Sequence, residues 1–267
     1  SAADLNTIDG KTGVAVGAMA ITELTGTASA ITTALASNGI TTVTNGSLAV
    51  KVDSGTATVS QINTINSDTA TGKVTATVSE TDAATLITLN TTDTGVAATT
   101  DMITVTMAGV STSAADLNTI DGKTGVAVGA TAVTELTGAA TDIATAVSSA
   151  GINTSVHYAA TITGGTVATI QELKTINADT DGTITLNSAT NGASHSDTTA
   201  NILAAFNGIT SLTGTIELSD STTVANINTV AGMTNGVVTA TASETAAATL
   251  VGLSTNNLDM ITVTMAG

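Results

Sequence analysis

The residues best suited to chemistry in this sequence are oxygen-bearing side chains in polar, glycine-containing segments. Two groups stand out: Asn66 with Asp68, and Asn177 with Asp179 and Asp181. Carboxylate and amide oxygens are hard ligands of the kind that Ca²⁺ prefers, and this ion needs six to eight of them. The pattern therefore predicts calcium binding at these turns. Turn formation and helix capping explain the same residues without a metal, so both interpretations stay open.

Other catalytic patterns are missing from the sequence. His157 and His195 are its only histidines, and neither has a cysteine or a second histidine at ligand spacing. No Walker loop, no GxGxxG after a strand and no HExxH occurs. The two DGKTG segments, at 9–13 and 121–125, lack the upstream glycine of a phosphate loop and are interpreted as turns. We therefore predict that the protein is not an enzyme.

Threonines recur in Thr-x-Thr pairs whose side chains should point to solvent. The pairs are Thr75 with Thr77, Thr104 with Thr106, Thr183 with Thr185, Thr239 with Thr241, and Thr262 with Thr264. Stacked in register, they would form a flat array that resembles the ice-binding face of some solenoid antifreeze proteins. Threonine is also a common solvent-facing residue in strands. Ice binding is therefore an alternative function.

These residues lie between copies of a short motif that organises the whole chain. The motif occurs at 2–8, 59–65, 114–120, 170–176 and 224–230, with apolar residues at positions one, four and seven and threonine at six. Successive fourth positions are 54 to 57 residues apart. Spacing this regular is typical of a repeat architecture.

A second family of helical segments alternates with the first. Its members lie at 27–35, 81–89, 140–152, 197–206 and 245–253. The basic unit is therefore roughly 28 residues, the length of one coil of a solenoid. About ten such coils fit in the chain.

Alternating segments between the helices predict strands. Val74, Ala76 and Val78 share one face and Thr75 and Thr77 the other, which is the period of a half-buried strand. Strands separated by helical crossovers usually pair in parallel. The predicted fold class is α/β: a repetitive strand–helix solenoid with a parallel β-sheet. An all-β parallel solenoid is the alternative, because threonine and valine are poor helix formers.

Helix starts should be marked by hydroxyl side chains that accept hydrogen bonds from backbone N–H groups. The predicted caps of the first family are Ser1, Thr58, Ser113, Thr166 and Thr223, and those of the second are Ser79, Thr81 and Ser243.

Composition limits the possible partners. The 267 residues have a net charge of −16, and only 1% of them are aromatic. No basic stripe is present to neutralise phosphates, which argues against nucleic acid. No apolar run approaches the roughly 18 residues of a membrane span, so no membrane insertion is expected.

The two ends of the sequence repeat its middle. Residues 259–267 are identical to 101–109, and SAADLNTIDG, with which the sequence opens at 1–10, recurs at 113–122. We predict a single elongated repeat domain over 1–267 that is a segment of a longer tandem array. Exposed strand edges at its ends would favour self-association.

The segments at 79–89 and 243–253, SETDAATLITL after KVTATV and SETAAATLVGL after VVTATA, support a resemblance. They resemble the Ala/Thr-rich tandem repeats of giant secreted or cell-surface proteins of cyanobacteria and other aquatic bacteria, of fibre, sheath, surface-layer or adhesin type. That resemblance implies an extracellular structural or adhesive role, often assisted by calcium, without catalytic residues. The GGxGxD nonapeptide of calcium-binding RTX repeats is absent.

The sequence as a whole favours a structural function. We expect a building block of an extracellular bacterial filament, sheath or surface layer that self-assembles through stacked solenoid coils, located outside the cell or at its surface. The alternatives are a calcium-dependent adhesive module of a giant adhesin and an ice-binding solenoid.

Overall fold

A computed structural model describes residues 1–42, 48–69, 72–92, 100–209 and 212–266. These residues form two compact units, one of Ser1–Val133 with Ser149–Thr154 and the other of Thr134–Ser148 with Ser155–Gly267. A single elongated domain over 1–267 stays a prediction.

The first unit alternates helices and strands. Its helices are α1 (Ala2–Asp9), α2 (Ala28–Ala36), α3 (Val59–Thr69), α4 (Ala83–Leu86) and α5 (Ala114–Asp121). Its strands are β1 (Val16–Gly17), β2 (Glu23–Gly26), β3 (Ile40–Thr41), β4 (Ala49–Val52), β5 (Val74–Thr77), β6 (Met102–Thr104), β7 (Ser111–Ser113), β8 (Val128–Ala130) and β10 (Ile152–Thr154).

The second unit has the same alternation. Its helices are α6 (Ala140–Ser148), α7 (Ile170–Asp179), α8 (Ser188–Asn191), α9 (Thr199–Phe206), α10 (Val224–Ala231) and α11 (Ala247–Leu250). Its strands are β9 (Glu135–Gly138), β11 (Ala159–Ile162), β12 (Ile184–Thr185), β13 (His195–Asp197), β14 (Ile216–Thr222), β15 (Val238–Ala242) and β16 (Met260–Thr262).

Strand pairing within each unit is parallel throughout the described residues. The first unit has the order β2-β4-β5-β6 with the pairs β1-β3 and β8-β10, and the second has the orders β9-β11-β12 and β13-β14-β15-β16. The predicted mixed α/β class with parallel pairing is therefore confirmed, and the helices exclude the all-β alternative.

The length of a coil varies more than the sequence suggested. Partner residues in neighbouring strands are 21 positions apart at His195 and Ile216 but 27 apart at Thr75 and Met102. Both values are below the predicted length of roughly 28 residues, which is half of the mean spacing between motif copies.

The apolar positions of the repeat form the core. Val59, Ile62 and Ile65 of α3 are buried, and so are the corresponding residues of α5 and α10. On the strands, Val74 and Ala76 are buried while Thr77 is exposed. Small and branched side chains such as these fill thin layers, which explains how the chain forms a core with almost no aromatic residues.

Threonine at position six of the motif has a local role. Its hydroxyl donates to the carbonyl four residues earlier, at 2.8 to 3.0 Å, in all five copies: Thr7, Thr64, Thr119, Thr175 and Thr229. The group is therefore satisfied inside its own helix.

Most predicted caps of the first helix family are confirmed. Ser1, Ser113 and Thr223 accept from backbone N–H groups at their helix starts, and Thr58 accepts from the Gln61 N–H at 3.2 Å. Thr166 was the wrong choice, because α7 begins after Thr169, which forms a reciprocal capping box with Glu172.

The predicted caps of the second family at Ser79, Thr81 and Ser243 are wrong. The carboxylate of Asp82 caps α4, and hydrogen bonds from Thr85 lower its pKa. Ala246 precedes α11 and supplies no side-chain cap. Both helices are single turns, so an acceptor placed further upstream cannot reach their first N–H groups.

Ile120 and Ile8 are the same motif position in two identical segments, and they allow a matched test of core packing. Ile120 is 0% exposed and Ile8 is 49% exposed. We expect Ile120→Ala to lower the free energy of unfolding by about 2 to 5 kcal/mol. Ile8→Ala should cost about 1 kcal/mol or less, because little apolar surface is lost. Urea unfolding followed by circular dichroism measures both, and equal losses would contradict the packing described.

Candidate functional site

The predicted calcium ligands lie on helices rather than in turns. Asn66 and Asp68 belong to the last turns of α3, and Asn177 and Asp179 to the last turn of α7. Only Asp181 follows a helix end. The helix α3 extends to Thr69, whose buried hydroxyl donates to the Ile65 carbonyl at 2.9 Å and favours this extra turn.

In the first group, the Asn66 side chain is hydrogen-bonded and the Asp68 side chain is exposed to solvent. The Asn66 side-chain amide donates to the Asn90 carbonyl at 3.0 Å. The Asp68 side chain is exposed and makes no hydrogen bond or ion pair within the described part of the chain. It borders a groove of about 580 Å³ that Glu80 also lines. This groove brings two carboxylates to one surface.

In the second group, each side chain has a different partner. Asn177 donates to the carbonyls of Ala205 at 3.1 Å and Asn207 at 2.9 Å. Asp181 lies 2.8 Å from Nδ1 of His157. Asn177 and Asp181 line one cleft of about 530 Å³.

Asp179 does not line that cleft. Its Oδ2 accepts from the Tyr158 hydroxyl at 3.0 Å. Burial, together with the Asp179 charge, raises the pKa of Tyr158 far above its ordinary range, so the phenol stays a donor. Within the described residues no cluster of three or more His, Cys, Asp or Glu side chains could hold a metal ion. Calcium binding stays a prediction.

Acidic side chains that the sequence did not single out bind the starts of neighbouring helices. Both carboxylate oxygens of Glu80 accept from the Val59 N–H at 3.1 Å, and Glu244 binds the Val224 N–H at 3.0 and 3.1 Å. The first N–H groups of a helix lack partners within the helix, and a negative charge there is favourable. Each glutamate therefore joins one coil to the coil before it.

Aspartates make equivalent contacts beside the strands. Asp101 accepts from the N–H groups of Val74 at 2.8 Å and Thr92 at 2.9 Å. This carboxylate is buried, and burial raises its pKa although both hydrogen bonds oppose the shift. Asp259 accepts from the Val238 and Asn256 N–H groups, both at 2.8 Å.

Asparagine at position five of the motif bonds to the backbone of the neighbouring helix or of the segment that follows it. Asn63 donates to the Thr88 carbonyl at 2.9 Å and accepts from the Asn90 N–H at 2.9 Å. Asn228 makes the same pair of bonds with the Gly252 carbonyl and the Ser254 N–H, and Asn6 donates to the Ala30 carbonyl. A recurring asparagine on an otherwise variable helix face is the sequence signal that could have revealed these bridges.

The predicted threonine array is interrupted. The register pairs Thr77 with Thr104 and Thr241 with Thr262, but Thr75 lies between Lys51 and Met102. A continuous threonine surface is therefore not formed along these strands, and ice binding stays a prediction without an observation in its favour.

Comparison with protein-family models, with curated proteins and with solved structures found no match. Among the helices that the structure describes, none has the length and apolar character to cross a membrane.

The hydrogen bonds of Asp220 predict a specific dependence of stability on pH. Its carboxylate accepts from the Thr199 N–H at 2.7 Å and from the Thr199 hydroxyl at 2.8 Å, and these bonds lower its pKa. A lowered folded-state pKa stabilises the fold above about pH 4, and this contribution is lost as pH falls further. We expect Asp220→Asn to make the loss of stability between about pH 4 and pH 2 less steep.

Urea unfolding at a series of pH values measures this slope. Asp68→Asn is the matched control, because it makes the same change in net charge at a carboxylate without such donors in the described part of the chain. Equal slopes for the two variants would show that charge, and not this contact, sets the effect.

Calcium binding has its own test. If Asn177 and Asp181 help to hold Ca²⁺, the melting temperature rises with calcium and returns with chelator, since a ligand at a hundred times its Kd stabilises by about 2.7 kcal/mol. Asp181→Asn should remove the shift. Asp53→Asn, which changes an exposed carboxylate that does not line this cleft, should keep it. An unchanged melting temperature for the wild-type protein in calcium and chelator would refute the site.

Proposed function

We propose that this chain is a structural building block of an extracellular bacterial filament, sheath or surface layer, built from strand–helix coils stacked as a solenoid. The observation that supports this most strongly is the distribution of its polar contacts. Carboxylates bind the backbone of the preceding coil and asparagines that of the following coil, by the same bonds in both units. These side chains therefore connect neighbouring coils, as we expect in a structural protein.

The register of the strands supports the solenoid. Leu24 pairs with Val50, and Val50 with Val74, so each strand lies beside the equivalent strand of the next coil. Equivalent helix positions, such as Ile31 and Ile62, are buried in successive coils. Each repeat therefore contacts mainly its neighbours, which is the property of a solenoid.

Composition and the resemblance of the repeats support the extracellular setting. The net charge of −16 lies on a chain that has only five basic residues, and such a charge keeps a long array soluble. The Ala/Thr-rich segments resemble those of giant bacterial cell-surface proteins.

A calcium-dependent adhesive module is the second candidate. The cleft that Asn177 and Asp181 line is the observation that favours it, because it presents two oxygen-bearing side chains to solvent.

Negative-stain electron microscopy of the purified protein, first with calcium and then with chelator, tests the proposal. We expect regular filaments or sheets in both conditions, because the contacts between coils need no metal. Loss of these assemblies in chelator would show that assembly depends on calcium and would favour the calcium-dependent candidate. Isolated particles in both conditions, at every concentration, would contradict the structural function.

A further inference from the structure

Two segments of the first unit form a joint whose sequences occur again elsewhere in the chain. We call it the internal joint; it joins residues 101–109 to residues 124–130. The Thr124 hydroxyl accepts from the Ile103 N–H at 2.8 Å and donates to the Ile103 carbonyl at 2.8 Å. Thr124 is 2% exposed, so this contact is buried.

Backbone hydrogen bonds complete the internal joint. The Gly129 N–H donates to the Val105 carbonyl at 3.0 Å, and the Met107 N–H donates to the Gly129 carbonyl at 2.7 Å. Thr106 and Gly129 are paired in parallel. The joint is therefore a short parallel ladder with apolar side chains beneath it.

The same sequences are uncovered in the first and last coils. Residues 12–18 repeat 124–130, and residues 259–266 repeat 101–108. We call 12–18 the leading face and 259–266 the trailing face. Val263 is 45% exposed and Met265 is 62% exposed, although Val105 and Met107 in the internal joint are each 1% exposed.

Most exposed large apolar side chains of the described residues lie in these two coils. They are Ile8, Val14 and Met19 in the first coil, and Val251, Leu258, Met260, Val263 and Met265 in the last. Burying such groups is favourable in proportion to the area removed from water.

Both faces already have the conformation of the internal joint. Val16 pairs with Ile40 just as Val128 pairs with Ile152. On the trailing face, Asp259 binds two backbone N–H groups, one on a neighbouring strand, in the same way as Asp101. Little conformational freedom would be lost on binding, because the two faces are pre-organised.

The glycines of the leading face leave room that nothing in the described residues fills. A Cβ atom built at Gly125 would lie 2.4 Å from Cγ2 of Thr100, and one at Gly129 would lie 3.4 Å from the Val105 carbonyl oxygen. A Cβ atom built at Gly13 or Gly17, the equivalent positions, would have no atom of the described residues within 4 Å apart from its chain neighbours. Gly125 therefore permits a close approach in the internal joint, whereas a Cβ atom at Gly129 would make an ordinary contact, and no neighbour among the described residues makes such an approach at the leading face.

We propose that the leading face binds the trailing face of a second copy of this chain, in the register of the internal joint. The Gly17 N–H then donates to the Val263 carbonyl of the other copy, and the Met265 N–H of that copy donates to the Gly17 carbonyl. This contact joins different surfaces, so it produces an open series of copies or a ring. It rests on the proposed structural function and names the surfaces through which assembly occurs.

Disulfide trapping tests the register, because the chain has no cysteine of its own. A Cβ atom at Gly129 lies 3.9 Å from both Cα and Oγ1 of Thr106, which places a cysteine pair there within bonding range. Gly17→Cys with Thr264→Cys in one chain should give a ladder of cross-linked oligomers under mild oxidation. Thr106→Cys with Gly129→Cys is the positive control and should cross-link within the chain.

Two outcomes decide the register. Gly17→Cys with Thr262→Cys moves one cysteine by two positions along the strand and should lose the ladder. If the Thr264 pair cross-links no faster than the Thr262 pair, while the internal control closes, the proposed joint is wrong. If filaments are nevertheless seen by microscopy under those conditions, the structural function holds and assembly occurs through a different contact. A ladder without ordered assemblies would refute the function and keep the joint.

A second variant tests the joint without cysteine. In the single chain, Gly13→Val places a side chain in open space. In the proposed assembly, the same side chain would lie between the leading face of one copy and the trailing face of the other. We expect sedimentation velocity to show loss of the concentration-dependent association of the wild-type protein, with an unchanged melting temperature. Association that persists unchanged in this variant would overturn the proposal.

Discussion

The hydrogen bonds between neighbouring coils are the interaction on which the rest of this structure depends. A single repeat is too short to bury a core of its own, and its helix starts and strand edges carry unpaired backbone groups. Glu80, Asp101 and Asn63 satisfy such groups across the boundary between coils. Ile62 and Leu86, which belong to the helices on either side of one such boundary, are both fully buried.

This constraint explains an unusual composition. The coils repeat at a close spacing, so bulky side chains fit at few positions, and alanine, valine, isoleucine and leucine fill the core. Phe206 and Tyr158 are exceptions, and both are fully buried. The rings of Phe206 and His195 meet edge to face, with their centroids 4.9 Å apart. His195 is therefore a buried packing residue whose Nε2 lies 2.8 Å from the Thr190 carbonyl.

The sequence predicted the fold better than the site. Periodicity located all ten helices of the two families, because burial of positions one, four and seven leaves a repeating pattern. The helix α8 and strand β13 were missed, since the polar segments around Asn187 and His195 lack that pattern. The role of Glu80 or Asp101 could not be predicted, because each acts on an amide more than 20 residues away and only the three-dimensional stacking brings them together.

The two identical segments at 2–18 and 114–130 permit the most direct measurement of the central claim, that each coil is held by its neighbour. Amide hydrogen exchange followed by NMR in dilute solution compares Gly17 with Gly129, which have the same local sequence on either side. The Gly129 N–H is bonded to the Val105 carbonyl, whereas Gly17 lies on the uncovered leading face. We predict slow exchange at Gly129 and near-intrinsic exchange at Gly17. Equal protection at both glycines would contradict the account.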